Sequence, residues 1–345
     1  MLKHFRLSFI FTIICLLIAG VWGYKFGGLV NAVNLMFIAL ILGLMEVSLS
    51  FDNAVVNASI LKTWDEHWKK LFLTVGIVVA VFGMRLLFPL VIVAQTADLG
   101  LLEVWNLALD NPVEYSNKLV AHHAEISAFG GMFLLLVFLN FMLDEEKSVH
   151  WFEALEEKLG LLGKIEAISI FIAIVILMIF SSFIGQESKL VVLSAGLWGI
   201  VIYVGVDIIG VILEKEEDDP SLADVVKRGS VGSFLYLEVL DASFSFDGVI
   251  GAFAITKDIV AIMLGLGIGA MFVRSLTIYL VEKGTLDEYV YLEHGAHYAI
   301  GILALIMLFG MEFHIPEVFT GLIGIAFIVL SLWSSVKKIE LETKQ

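Results

Sequence analysis

Apolar runs of about 20 residues, the length an α-helix needs to cross a bilayer, recur through this chain from end to end. No other feature restricts the fold as much, because backbone in hydrocarbon must satisfy its own hydrogen bonds and helices do so internally. The composition agrees: 59% of residues are hydrophobic and 17% charged, against roughly 45–50% and about 25% in soluble chains. The expectation is an all-α, polytopic membrane protein and not an enzyme. Little sequence remains outside the spans, and no G-x-x-x-x-G-K-[ST] motif occurs, which argues against a self-contained ATP-driven pump.

Ten spans are expected, at residues 7–23, 31–60, 71–94, 119–142, 165–184, 190–213, 231–255, 259–281, 293–311 and 317–335. The first resembles a signal peptide, but no small-residue cleavage site closes it, so it is read as a retained span. Lysine and arginine accumulate in cytoplasmic loops. With the N-terminus inside, fifteen of the 21 fall on the inner side, and only Lys25, Lys118, Lys189 and Lys257 on the outer, while Arg85 and Arg274 lie within spans. Both termini are therefore expected in the cytoplasm, with the chain in the cell (inner) membrane. Trp22 and Trp333 fit interfacial anchoring.

The net charge of −15 suggests a basic partner at first sight, but much of the acid lies in stretches such as 214–219, read as a solvated loop. No basic patch exists, so nucleic acid is not an expected partner. The expected partners are membrane lipid and a metal ion, and a homo-oligomer is compatible with the sequence. The lone Cys15 sits in an apolar run and reads as packing.

The chain repeats itself. Span two carries Glu46-Val-Ser48-Leu-Ser50-Phe-Asp52-Asn53, and span seven carries Asp241-Ala-Ser243-Phe-Ser245-Phe-Asp247-Gly248. In this register acids and serines coincide. Each motif is followed by a span with one arginine, Arg85 or Arg274, and then more weakly by a histidine, His123 or His294. Matching spans are five apart, an odd number, so the second copy crosses in the opposite sense. That is the inverted-repeat plan of secondary transporters, whose sites lie near the midplane. The expected halves are 1–185 and 186–345.

Carboxylates inside a membrane are costly and usually mark a pathway or site. The motif spans hold Glu46, Asp52, Glu238, Asp241 and Asp247 against two arginines, a net of three negative charges if all ionise. One divalent cation reduces that to one, and protons compete for the same groups, as antiport requires. Carboxylates, the Asn53 amide and serine hydroxyls form a hard oxygen set that suits Mg²⁺, Ca²⁺ or Mn²⁺. The ion is expected as transported substrate, with no prosthetic group. Glu46 and Asp52 are six residues apart, about 240° around an ideal helix. A bend at Ser48 and Ser50 is therefore expected, while Glu238 and Asp241 share a face. Pro89 cannot donate to the Arg85 carbonyl, so a kink is expected there.

Other readings of these residues differ. One has protonated carboxyls that only tie helices together, and another has Arg85 and Arg274 as structural counter-ions. His122, His123, Glu125, Glu293, His294 and His297, near span ends, fit either an interface or an ion route, and Asp207 has no repeat partner. Competing functions are an intramembrane aspartyl hydrolase and a non-transporting membrane component of a metal-stress complex.

The two motifs resemble the signature motifs of the TerC family, integral membrane proteins named for tellurium resistance and grouped with LysE-type transporters. The resemblance covers roughly spans two to nine. It implies manganese export or related metal homeostasis, with Glu46, Asp52 and Asn53 of the first motif and Glu238, Asp241 and Asp247 of the second as ligands. Where the family's second motif commonly has serine after the aspartate, this chain has Gly248, and ten spans exceed the seven to nine of compact relatives.

Overall fold

The structure is a computed structural model that describes residues 2–97, 99–145, 147–165, 167–213, 229–313, 315 and 317–343. Its elements are α1 (Leu2–Leu49), α2 (Phe51–Leu61), α3 (Glu66–Val78), a π-helix (Val79–Leu87), α4 (Phe88–Ala97), α5 (Leu101–Asp110), α6 (Pro112–Ala121), α7 (His123–Leu143), α8 (Glu153–Gly163), α9 (Ile168–Ser181), α10 (Gln186–Leu213), α11 (Val231–Ile255), α12 (Ile259–Lys283), α13 (Thr285–Glu288), α14 (Leu292–Gly310) and α15 (Glu317–Thr343). No strand occurs among the described residues. The acidic stretch 214–219 lies outside them.

Seven helices among these residues are long and apolar enough to cross a membrane: His4–Leu49, Glu66–Ala94, His123–Leu143, Ser188–Val206, Ile259–Lys283, Leu292–Gly310 and Gly321–Leu341. The chain thus has the make-up of a multi-pass membrane protein. The expected span at 165–184 takes another form. There α9 has 14 residues, about 21 Å, short of a hydrocarbon core of roughly 30 Å. It meets α8 at 105° beside Ala167, whose φ of 57° is left-handed, and the bent pair together is apolar enough to count as an eighth, broken span.

The chain divides into two compact units. The first comprises residues 1–50, 70–123 and 244–279. In it α1 doubles back at Gly27 (φ −160°, ψ 20°) and Gly28 (φ 66°, ψ −159°), the latter a conformation reserved for glycine. On a straight helix residues 20 and 36 would stand about 24 Å apart; instead a Cβ on Gly20 would lie 3.0 Å from Met36 Sδ. The Asn31 Nδ2 also donates to the Gly23 carbonyl at 3.1 Å. The second arm packs on α12 through small residues, Gly265 lying on Ala39 and Leu42, and Gly43 on Ile268. Such residues let helix backbones approach closely, and Cys15, Ala19, Ala39, Leu264 and Ile268 form one buried cluster there. The expected kink at Pro89 becomes a π-helix just before it, where Phe88 N–H bonds to Gly83 O.

The second unit comprises residues 51–69, 124–243 and 280–345. Its α14 packs against α2 and α15. The apolar α7 buries Met132, Phe133, Leu134 and Leu136, and the Phe133 ring meets Tyr203 of α10 and Tyr236 of α11. The two units interleave along the sequence.

Candidate functional site

The helix from the second arm of α1 breaks at Ser50, as the serines of the first motif lead one to expect. Ser48 is exposed and turns its hydroxyl back to Leu44 O at 2.9 Å, which leaves it away from the acids. Beyond the break, α2 opens with Asp52 and runs through Asn53 and Asn57, all three buried.

In the second unit, Asn53 and Asn57, one turn apart on α2, face Asp241 of α11. The Nδ2 of each donates to Asp241 Oδ1 at 2.8 Å. Reversing either amide would set its oxygen against the carboxylate, so these orientations are forced. Both amide oxygens are then buried with no hydrogen-bond partner among the described residues. Such an orphaned acceptor usually costs about 1–3 kcal/mol. Two of them beside a carboxylate are oxygens with no protons to offer, the donor type that hard cations take. Asp52 accepts the Asn53 N–H on Oδ1 at 2.9 Å. Its Oδ2 lies against α15, 3.4 Å from where a Cβ on Gly324 would stand. Glu238 is buried one turn before Asp241.

Ser243 is buried and donates to Val239 O at 3.0 Å, close to Gly130 of α7, and Ser245 is buried too. The side chains of Asp247 and Asp207 lie outside the described residues. His294 is buried elsewhere in the same unit, with Nε2 2.8 Å from Val149 O and 3.4 Å from Glu156 Oε2.

The remaining predicted residues belong to the first unit. Glu46 pairs with Arg85 and accepts the Ser50 hydroxyl at 3.1 Å. Arg274 donates to the Phe72 carbonyl and stacks its guanidinium over that ring, 3.7 Å from the centroid. His123, half-buried, opens α7. Of the ligands expected from the sequence, Glu46 and Asp247 belong to the first unit and Asp52, Asn53, Glu238 and Asp241 to the second. Among the described residues no group of three or more His, Cys, Asp or Glu is placed to hold a metal ion. The buried oxygens without a partner among the described residues here include those of the two amides that hold Asp241.

Two features escaped sequence reasoning. Asn57 is the first; its i, i+4 relation to Asn53 was the available signal. The second is a buried ion cluster on Glu156 of α8. Lys147 Nζ lies 2.8 Å from its Oε2, while the Tyr298 hydroxyl and the N–H groups of Trp151 and Phe152 reach its Oε1 at 3.1, 3.2 and 3.1 Å. Burial alone pushes this carboxyl up, but hydrogen bonds from His294, Lys147 and the Phe152 N–H outweigh it and hold the group well below the usual carboxylate range. The segment between α7 and α8 is thereby fastened to α14.

No curated protein and no solved structure matches the chain. The family described as protein of unknown function (DUF475) matches residues 51–342, which is most of the chain and includes α2 and α11, and the protein belongs to that family.

Proposed function

We propose that this protein is a secondary transporter that exports a divalent metal cation, with Asp241, Asn53 and Asn57 as the group that carries the cation and Asp52 and Glu238 as neighbouring acids. The observation that supports it is the pair of buried amide oxygens with no partner beside the Asp241 carboxylate. A metal passing through would satisfy both oxygens and the acid together, whereas an apolar helix contact would have no use for them. Mn²⁺ is the substrate we favour. The hard donors admit it, with Ca²⁺ and Mg²⁺, and the likeness of the two motifs to those of TerC proteins points the same way. Protons compete for the same carboxylates, which fits proton antiport.

The ten-span, inverted-repeat topology in the inner membrane, with both termini in the cytoplasm, belongs to the same proposal. Its support is the paired acidic motifs, the buried arginines in the helices that follow them, and the Lys and Arg bias between the two sides.

The deciding experiment is Mn²⁺ flux into liposomes carrying the purified protein. Wild type should transport and Asp241→Asn should not. Absence of flux with wild type would end this reading.

A further inference from the structure

Glu46 is 1% exposed, and its surroundings in the first unit are specific. Its stem lies on α12, where a Cβ on Gly269 would collide with Glu46 Cβ. Its carboxylate lies over α11, where a Cβ on Gly248 would come 2.5 Å from Oε2. Oε1 is taken by the Arg85 guanidinium and the Ser50 hydroxyl. Arg85 is 5% exposed and also donates to Ala80 O of its own π-helix at 2.6 Å. Neither charge is tolerable in such a place alone, because each loses its hydration and recovers it only from the other.

Resting on the cation-transport reading above, we propose that Arg85 is the resident counter-cation of Glu46, that the substrate metal binds without Glu46 as a ligand, and that Gly248 is the position that leaves room for this pairing. Three independent features converge on the pair. The π-helix is one: it re-aims residues by adding one per turn, and such segments concentrate at functional positions. Returning residues 79–87 to α-spacing would turn Arg85 by about 100° for the residue removed. The second is Gly269, which lets the Glu46 stem reach so far. The third is Gly248 itself. Any side chain there would set its Cβ in the space that the Glu46 carboxylate occupies. Glu46 is then a positioning residue that ties the second arm of α1 to the π-helix.

A charge-neutral exchange tests this. Glu46→Gln and Arg85→Gln, each alone, should lower the melting temperature of the purified protein, since each strands a buried charge. Glu46→Gln/Arg85→Gln should recover most of that loss and bind Mn²⁺ within about threefold of wild type, as expected when two changes act through one contact. Gly248→Ser should lower the melting temperature in wild type and much less in Glu46→Ala, where the carboxylate is gone. Additive losses in the double variant would overturn the pairing. Recovered melting with Mn²⁺ affinity weakened about tenfold or more, the scale of a disturbed metal site, would make Glu46 a ligand and overturn the proposal too. If wild type binds no Mn²⁺, the transport reading fails, while the melting temperatures still decide the pairing.

Discussion

Asn57 lies one turn beyond Asn53 on α2, and the two amide nitrogens converge on the same oxygen of Asp241, each at 2.8 Å. One oxygen of the acid therefore carries two neutral donors, and two amide oxygens are left over in the interior. The arrangement holds the carboxylate in place while it gathers acceptors around it.

This makes Asn57 as consequential as the acids. Asn57→Ala removes one acceptor and one of the two bonds that orient Asp241, and should weaken Mn²⁺ binding by about 10–100-fold, the range for partners that orient a metal ligand. Isothermal titration of the purified protein measures it, and an unchanged affinity would remove Asn57 from the site.

On the neighbouring face of α2, Asp52 Oδ2 looks onto the bare backbone of Gly324. At 3.4 Å a methyl group there makes ordinary contact, so Gly324→Ala should transport nearly as wild type. Gly324→Leu has no such room and should depress flux in liposomes about tenfold or more while the protein still expresses. Equal flux in both variants would show that this face is idle.

The acids were readable in the sequence because a carboxylate in an apolar run stands out, and the fold class because apolar runs of that length have few uses. Asn57 carries no charge, and its i, i+4 relation to Asn53 gained a meaning when the fold placed both opposite Asp241. Glu156 sits among Glu153, Glu157 and Lys158, a composition that reads as a solvated loop. Only Lys147, His294 and Tyr298, brought from other elements, bury it. The seats at Gly269 and Gly324 were equally silent, since a glycine in an apolar helix gives no hint of what approaches it. Pro89 announced a disturbance but not its form, because a missing N–H is accommodated by a kink or by a wider turn.

The reversal in α1 depends on Gly28. Its φ of 66° with ψ of −159° is closed to other residues, yet nothing lies within 4 Å of where a Cβ would stand. A substitution there therefore meets conformational strain and no collision. Gly28→Ala should cost about 1–3 kcal/mol, seen as a lower melting temperature in detergent. A variant as stable as wild type would mean that the two arms do not need this turn.

The Glu156 cluster gives the pH dependence its sign. Its carboxyl is held below the usual carboxylate range in the folded protein. The stability it supplies is therefore complete above the unfolded value, and is lost only as pH falls through the folded one. Glu156→Gln should accordingly lower the melting temperature at neutral pH, because it leaves Lys147 buried without its anion. The gap from wild type should hold down to about pH 4 and narrow below it, as the carboxylate takes up a proton first in the unfolded chain and, at lower pH, in the folded one. Thermal unfolding of both proteins from neutral to strongly acidic pH measures this. A gap that widens toward acid would mean that Glu156 is bound there as the neutral acid and does not fasten α8 to α14 as an anion.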